Sequence, residues 1–422
     1  MPHYQLEMYN RNIDPSWNFK TANTKEFTHC YHSYPAMMIP QVARTLIEIF
    51  APKDRCKLIF DPYMGSGTSL VEASLKGIDS IGTDINPLAR LISQAKTCHF
   101  NTKKIEDCLS EIQLLPFSFS EDNVDDTDFS RISNFTFWYS KEALLKLSYI
   151  SQIINSFDED VRLFFQIALS ETVREVSFTR NGEFKRFRMS EKQIRQFCPD
   201  VFGLFESKAF RNFNGLKQYN DNLLSAQALI YDFNTVEGIP DDLLPDESVD
   251  MIVTSPPYGD SHTTVAYGQF SRWANEWFNF PNAKNLDNLL MGGKKKAEPL
   301  FKTESIKKEL DEINSLDNKR FQEVISFLND YSCSIKNIAP KIRKGGVICY
   351  VVGNRTVKGV QIPLDYFTAE IFEGQGFHHI QTIVREIPNK RMPSKNSPTN
   401  ITGAVGTTMS NEYIVVMEKE NK

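Results

Sequence analysis

Four consecutive residues, Ser255-Pro256-Pro257-Tyr258, have the types and spacing to do chemistry. Two prolines fix φ and remove two N–H donors, so the backbone there is rigid and presents carbonyl acceptors. The Ser255 hydroxyl and the Pro256 carbonyl suit the two N–H bonds of an exocyclic amino group. Tyr258 adds a face on which a planar ring stacks. The tetrapeptide therefore reads as a site for a planar molecule carrying an amino group. It follows Met251-Ile252-Val253, a short apolar run of the kind that forms a buried strand.

A second set of residues lies far upstream. Leu58-Ile59-Phe60 predicts a buried strand ending at Asp61, and Pro62 stops it. Gly65 and Gly67 form a tight turn, and Thr68 to Lys76 has the apolar spacing of a helix, with Gly77 where a C-terminal cap belongs. Ser80 to Thr83 is the next strand, ending at Asp84. The turn lacks the Lys-Ser/Thr of a phosphate-binding loop. Asp84 lies 17 residues after Gly67, where an acid accepts hydrogen bonds from ribose hydroxyls.

These elements make a right-handed βαβ unit. Further strands are expected at 226–234, 247–254 and 342–354, the last preceded by a helix end and a Gly-Gly turn. Two more, at 379–387 and 412–418, are joined by a long loop. The fold class is α/β, and resemblance to a known family implies a Rossmann-like, mostly parallel sheet with an antiparallel C-terminal strand and an inserted, mainly helical domain. The divisions are 1–100 for one half of the sheet, 101–222 for the insertion and 223–422 for the other half. In open α/β sheets ligands collect at the carboxyl ends of strands, where Asp61, Asp84, Asp232 and Ser255 all fall.

The two motifs together resemble the S-adenosylmethionine-dependent DNA amino-methyltransferases, which modify cytosine N4 or adenine N6. FDPYMGSG (60–67) is similar to the family's cofactor loop, and TSPPY (254–258) to its catalytic motif of Asp, Asn or Ser followed by Pro-Pro-Tyr. HSYPAMMIP (32–40) is similar to the segment that lines the methionine end of the cofactor. The resemblance implies that Tyr34, Pro35, Asp61, Tyr63, Gly65, Gly67 and Thr68 hold S-adenosyl-L-methionine. It places Asp84 at the ribose and Asp232 near the adenine, and it counts Ile85 among the cofactor-binding residues. It assigns catalysis to Ser255, Pro256, Pro257 and Tyr258, with no metal. Ser at the first catalytic position points to cytosine N4; adenine N6 and an RNA base are the alternatives. A catalytically silent DNA-binding subunit is disfavoured by the intact motifs. The resemblance also implies a restriction–modification setting, with a cognate endonuclease acting separately.

A base inside a duplex cannot reach such a pocket, so double-stranded DNA is the expected partner, with the target flipped out. Candidate contacts to it are Arg180, Lys185, Arg186 and Arg188, within 174–195, where seven Lys/Arg stand against three Glu. His262, Tyr267 and Arg272 follow the catalytic motif, and Lys390, Arg391 and Lys395 lie in the loop before the last strand. The insertion 101–222 is the first candidate for target recognition and 278–318 the second. The chain's 422 residues carry 48 basic and 53 acidic side chains, a net charge of −5, which does not oppose DNA binding because charge is local. Hydrophobic residues at 41% and charged at 24% exclude a disordered chain. No apolar run reaches the roughly 18–20 residues of a membrane span, Met1 to Lys20 has no apolar signal core, and the seven cysteines are scattered. A cytoplasmic protein is expected.

Overall fold

The computed structural model describes residues 9–52, 56–180, 182, 184–259, 265–294, 298–387, 395–396, 406–407 and 410–421. Eight strands form the central sheet: β1 (Arg11–Ile13), β2 (Leu58–Asp61), β3 (Asp79–Thr83), β4 (Ala228–Tyr231), β5 (Val249–Thr254), β6 (Ile342–Val352), β7 (Phe377–Glu386) and β8 (Asn411–Lys419). Their spatial order is β1-β7-β8-β6-β5-β2-β3-β4. The pairs from β4 through β6 are parallel, and β8 is antiparallel to both β6 and β7. This is the Rossmann-like methyltransferase sheet, with its antiparallel C-terminal strand.

Continuous apolar runs, whose successive side chains point to opposite faces, make these segments strands buried on both sides. Ile59, Met251, Val253, Cys349 and Val351 face one layer; Phe60, Ile252, Ile348 and Tyr350 face the other. The helices that matter below are α1 (Pro40–Phe50), α2 (Thr68–Leu75), α3 (Pro87–Thr97), α4 (Thr102–Ile112), α5 (Lys141–Ser156), α6 (Glu159–Glu175), α7 (Val201–Asn222), α8 (Tyr267–Trp277), α9 (Asn318–Ile338) and α10 (Leu364–Glu373). Val42, Ala43, Leu46 and Ile47 of α1 cover the first face. Val324, Leu328 and Tyr331 of α9 and Phe367 and Phe372 of α10 cover the second.

Residues 101–222 are mainly helical, as the sequence predicts, but they do not close on themselves. Ile105 of α4, Ile150 of α5, Phe164 and Phe165 of α6 and Phe205 of α7 share one core with Leu88 and Ile92 of α3 and Trp273 and Trp277 of α8. The helical layer is thus welded to the two helices that follow the GxG unit and the catalytic motif.

One local expectation differs from the structure, and one strand went unread. The segment before Val347 is not a helix end and turn: α9 stops at Ile338, a 3-10 turn covers Ala339–Lys341, and β6 begins at Ile342. Gly345, at φ +68°, lies where the register against β5 shifts between Val249 and Met251, so the Gly-Gly pair makes a bulge inside a strand. Strand β1, paired parallel to β7, is three residues long and too short for alternation to reveal. Gly77 does terminate α2, at φ +69° with its N–H on the Ser74 carbonyl at 3.1 Å. Among the described residues no helix is long and apolar enough to cross a membrane, and no cluster of His, Cys, Asp and Glu is arranged to hold a metal ion.

Candidate active site

The turn after β2 is held from three sides. Gly65 and Gly67 adopt φ of +48° and +73°, which only glycine enters cheaply. At Gly67 an added Cβ would also lie 2.7 Å from Ser93 Oγ. Ser93 Oγ donates to the Gly65 carbonyl at 2.9 Å, and the buried Lys96 Nζ donates to the Ser66 carbonyl at 2.8 Å, so α3 fixes the turn's carbonyls. From the other side Asp84 accepts from Gly65 N at 3.1 Å and from Asn86 N at 2.7 Å. One carboxylate therefore ties the glycine turn to the end of β3.

Asp61 does the same for the catalytic strand. It accepts from Thr254 Oγ1 at 2.5 Å, from Tyr63 N at 3.1 Å and from Ser69 Oγ. Thr254 is the last residue of β5 and immediately precedes Ser255, so β2 and β5 present their ends together. Tyr63 is pinned through its hydroxyl to Ser334 of α9 at 2.7 Å.

These groups enclose a narrow cavity. Tyr34, Pro35, Met37 and Met38 form one wall; Asp61, Tyr63, Gly65, Thr68 and Asp84 form the floor; Ser255, Pro257 and Tyr267 close the far side. Tyr34 and Tyr267 stack with ring centroids 5.9 Å apart, and Asn86 Nδ2 donates to both Tyr34 Oη and Ser271 Oγ at 2.7 Å. Leu290 also lines the cavity, and it lines a second, wider cleft with Ile85, Arg90, Asp232 and Phe233. The cavity is about 80 Å³ and the cleft about 900 Å³. Small-molecule sites span roughly 300–1,000 Å³, so the cavity alone is too small for a cofactor, and the adjoining cleft supplies the remaining room.

Burial raises both floor acids. Asp61 is pushed up to about 6 by burial, opposed by its bonds from Ser69, Thr254 and Tyr63 N. Asp84 is likewise pushed up to about 6 by burial, opposed by Asn86 N, Arg90 and Gly65 N. Two buried carboxylates beside a glycine cradle, ionised at neutral pH, are a receptor for a cation. The residues therefore fit the cationic cofactor that the motifs imply.

A pH dependence follows. Each acid titrates higher in the fold than at its ordinary 3.8, so its stabilising contribution is full below about pH 4 and is lost as pH rises through about 6. A bound cation favours the ionised forms. S-adenosylmethionine affinity is therefore expected to fall several-fold from pH 7 to pH 5, with protons released on binding near pH 6. Calorimetry in two buffers of different ionisation heat measures both; pH-independent affinity contradicts the assignment.

The Ser-Pro-Pro-Tyr segment follows directly on the end of β5. Ser255 Oγ donates to the Val351 carbonyl at 3.1 Å and lies 3.0 Å from Tyr258 Oη. Tyr258 Oη donates to Glu412 Oε1 at 3.2 Å, and Glu412 pairs with the buried Arg385. Burial and the Glu412 charge keep the Tyr258 phenol protonated.

The expected DNA contacts divide. Residues 178–180 run antiparallel to 187–189, with Arg180 N donating to Phe187 O and Met189 N to Phe178 O, both at 2.8 Å. Arg180 is exposed, Lys185 half-buried, and Phe184 and Phe187 are open to solvent. Arg186 instead turns inward, its guanidinium 4.8 Å from the Trp273 ring centroid; Arg188 lies 4.2 Å from that of Phe137 and pairs with Glu191. Arg272 bonds Glu276, Ser133 Oγ and the Lys284 carbonyl, bracing the helical layer against α8. Tyr267 lines the cavity, not an outer face. His262, Lys390 and Arg391 lie outside the described residues. Lys395 belongs to a two-residue strand paired with Gly406–Thr407.

Four residues at the site escape a sequence reading: Asn86, Lys96, Arg385 and Glu412. Only Asn86 had a local signal, an Asn before a proline-started helix, where it caps Leu88 N.

A parallel sheet whose glycine turn and Ser-Pro-Pro-Tyr end share one cavity defines a methyltransferase of amino groups. The N6/N4 DNA methylase family model matches residues 4–94. The chain is 38% identical over 423 residues to the type II methyltransferase M.MvaI of Kocuria varians, covering 95% of this chain and 93% of that one. It is 21% identical over 418 residues to M.BsoBI of Geobacillus stearothermophilus, covering 85% and 80%. A solved Thermus thermophilus protein carrying S-adenosyl-L-methionine matches 44% of this chain and 50% of its own, at 17% identity and a TM-score of 0.21. The chain belongs to the N4/N6 family of type II DNA methyltransferases. Its methyl donor is S-adenosylmethionine.

Proposed function

We propose that the protein methylates the exocyclic N4 of a cytosine flipped out of duplex DNA, at a specific site and in a restriction–modification system. The observation that carries this reading is the shared cavity, in which Ser255 and Pro257 face the Asp61–Asp84 floor. Serine at the first motif position favours cytosine, as the sequence resemblance implies.

When bound, S-adenosylmethionine supplies an electrophilic methyl on sulfur, which keeps the electron pair when the methyl leaves. The chain's residues do the rest. Asp61 and Asp84 balance the cofactor's positive charge. Ile85 and Asp232, in the wider cleft, take the nucleoside end. An exocyclic amine is a poor nucleophile because its lone pair is delocalised into the ring. Ser255 Oγ and the Pro256 carbonyl accept its two N–H bonds and favour a tetrahedral nitrogen whose lone pair points to the methyl. Tyr258 stacks on the base and offsets the stacking lost on flipping. Positioning and fixed dipoles supply most of the rate.

The antiparallel pair 178–180 and 187–189, with Phe184 and Lys185 beside it, is the DNA-facing element in this reading. It docks on α8 through Trp273 Nε1, which donates to Thr179 Oγ1 at 2.9 Å, and α8 begins with Tyr267 in the cavity. The exposed Phe184 stands 6.3 Å from Phe270, which in turn contacts Tyr34. Charge reversal at Arg180 and Lys185 together is expected to weaken DNA binding about tenfold and lower the salt slope by about one to two. Fluorescence anisotropy across a salt series measures both; unchanged binding at low salt removes Arg180 and Lys185 from the interface.

Sequence-resolved methylome mapping of cells expressing the protein tests the whole reading. It is expected to show N4-methylcytosine at one recurrent short sequence. N6-methyladenine there, or no new mark, contradicts it.

A further inference from the structure

We infer that Glu412 is the terminal proton acceptor of the reaction, reached from the target nitrogen through the Ser255 and Tyr258 hydroxyls. The inference rests on the proposed role of Ser255 and adds a residue that neither motif contains. Glu412 stands at the start of β8, 154 residues from Tyr258 in sequence, and the fold brings its Oε1 to 3.2 Å from Tyr258 Oη. Its other oxygen pairs with Arg385, whose Nε donates to the Trp17 carbonyl at 2.8 Å. The carboxylate is thereby aimed and cannot swing away from the tyrosine.

A count of protons supports the assignment. Val351 O, Ser255 Oγ, Tyr258 Oη and Glu412 Oε1 are joined by three contacts of 3.1, 3.0 and 3.2 Å. The two end groups are acceptors only, and the two hydroxyls hold one proton each. Two protons cannot fill three contacts. If Ser255 turns its proton to Tyr258 and Tyr258 gives its own to Glu412, Ser255 Oγ is left with only acceptor capacity toward the cavity, and Ser255 lines that cavity. A target N–H then completes an unbroken chain: nitrogen to Ser255, Ser255 to Tyr258, Tyr258 to Glu412.

The step balances. As the nitrogen lone pair forms its new bond to carbon, the methyl–sulfur bond breaks and the nitrogen is left with one proton too many. That proton passes to Ser255 Oγ, the Ser255 proton to Tyr258 Oη and the Tyr258 proton to Glu412. Both hydroxyls end neutral and Glu412 ends as the acid. Glu412 never touches the base; it is a positioning and proton-holding residue behind the two that do.

Glu412→Gln and Tyr258→Phe test the chain. In the first, the amide oxygen keeps the Arg385 bond and the NH2 donates to Tyr258, which reverses the chain. Ser255 can then pass a proton only to a backbone carbonyl, which cannot keep it. The second variant leaves the ring and the Glu412–Arg385 pair in place and removes one oxygen. Both are expected to lose on the order of 10²-fold in the single-turnover rate, with DNA and S-adenosylmethionine affinities and melting temperature held near wild type. The wild type is expected to show a solvent deuterium effect with a curved proton inventory, and Tyr258→Phe is expected to lose the curvature. A Tyr258→Phe rate within twofold of wild type, or a loss confined to KM, overturns the relay alone. A wild-type enzyme that leaves its DNA unmethylated overturns the parent reading with it.

Discussion

Tyr258→Ala is expected to lower the single-turnover methylation rate by on the order of 10³-fold while S-adenosylmethionine binding stays within a few-fold of wild type. Two losses add. A base stacked on an aromatic side chain gains about 1–3 kcal/mol, and each 1.4 kcal/mol is tenfold. The hydroxyl chain from Ser255 to Glu412 is cut as well. The cofactor side is spared because Ser255, Pro257 and Tyr267, not Tyr258, close the cavity. Rapid-quench transfer of labelled methyl and equilibrium binding of the cofactor separate the two effects. Equal losses in both would mean that Tyr258 supports the fold and not the base.

Asp61→Ala is expected to be the most damaging single change. Asp61 is 3% exposed and accepts from Ser69, Thr254 and Tyr63 N. Leaving three buried donors without a partner costs about 1–3 kcal/mol each, against a typical total stability of about 5–15 kcal/mol. The strand ends of β2 and β5 would lose their common anchor, and with it the alignment of the glycine turn with Ser255. Asp61→Asn is the informative partner. Its amide keeps an acceptor and the shape but not the charge, so it is expected to melt within a few degrees of wild type yet bind the cationic cofactor about tenfold more weakly. Thermal melts and calorimetry distinguish these outcomes. An Asp61→Asn protein with full affinity would show that Asp61 only braces the turn.

Much of this site was legible in the chain because its parts are local. Leu58 to Phe60, the two glycines at positive φ and the capping Gly77 each carry their own signature, and Asp84 follows at a fixed distance. The Ser-Pro-Pro-Tyr turn declares itself in the same way. Residues that meet only through the fold were not legible. Glu412 and Arg385 lie on neighbouring strands β8 and β7 and reach Tyr258 from far along the chain. Lys96 looks like any helix lysine, yet its ammonium is buried under the glycine turn, where burial pushes it down to about 7.

The basic segment shows the opposite failure. Composition makes Arg186 and Arg272 look like solvent cations. An indole face and a buried glutamate let the fold take them inward, and nothing in the local sequence says which aromatic ring will lie beneath a guanidinium. The helical insertion was legible as helix but not as a continuation of the core, because α6 packs against α3 and α8, which lie outside it in the chain.

The central claim is methyl transfer to cytosine N4 at Ser255. Its most direct test is mass spectrometry of nucleosides from duplex DNA incubated with the protein and methyl-deuterated S-adenosylmethionine. The account predicts deuterated N4-methylcytosine as the sole labelled base, with the label lost in Ser255→Ala. Label found only in N6-methyladenine, or undiminished labelling by the Ser255→Ala protein, would contradict it.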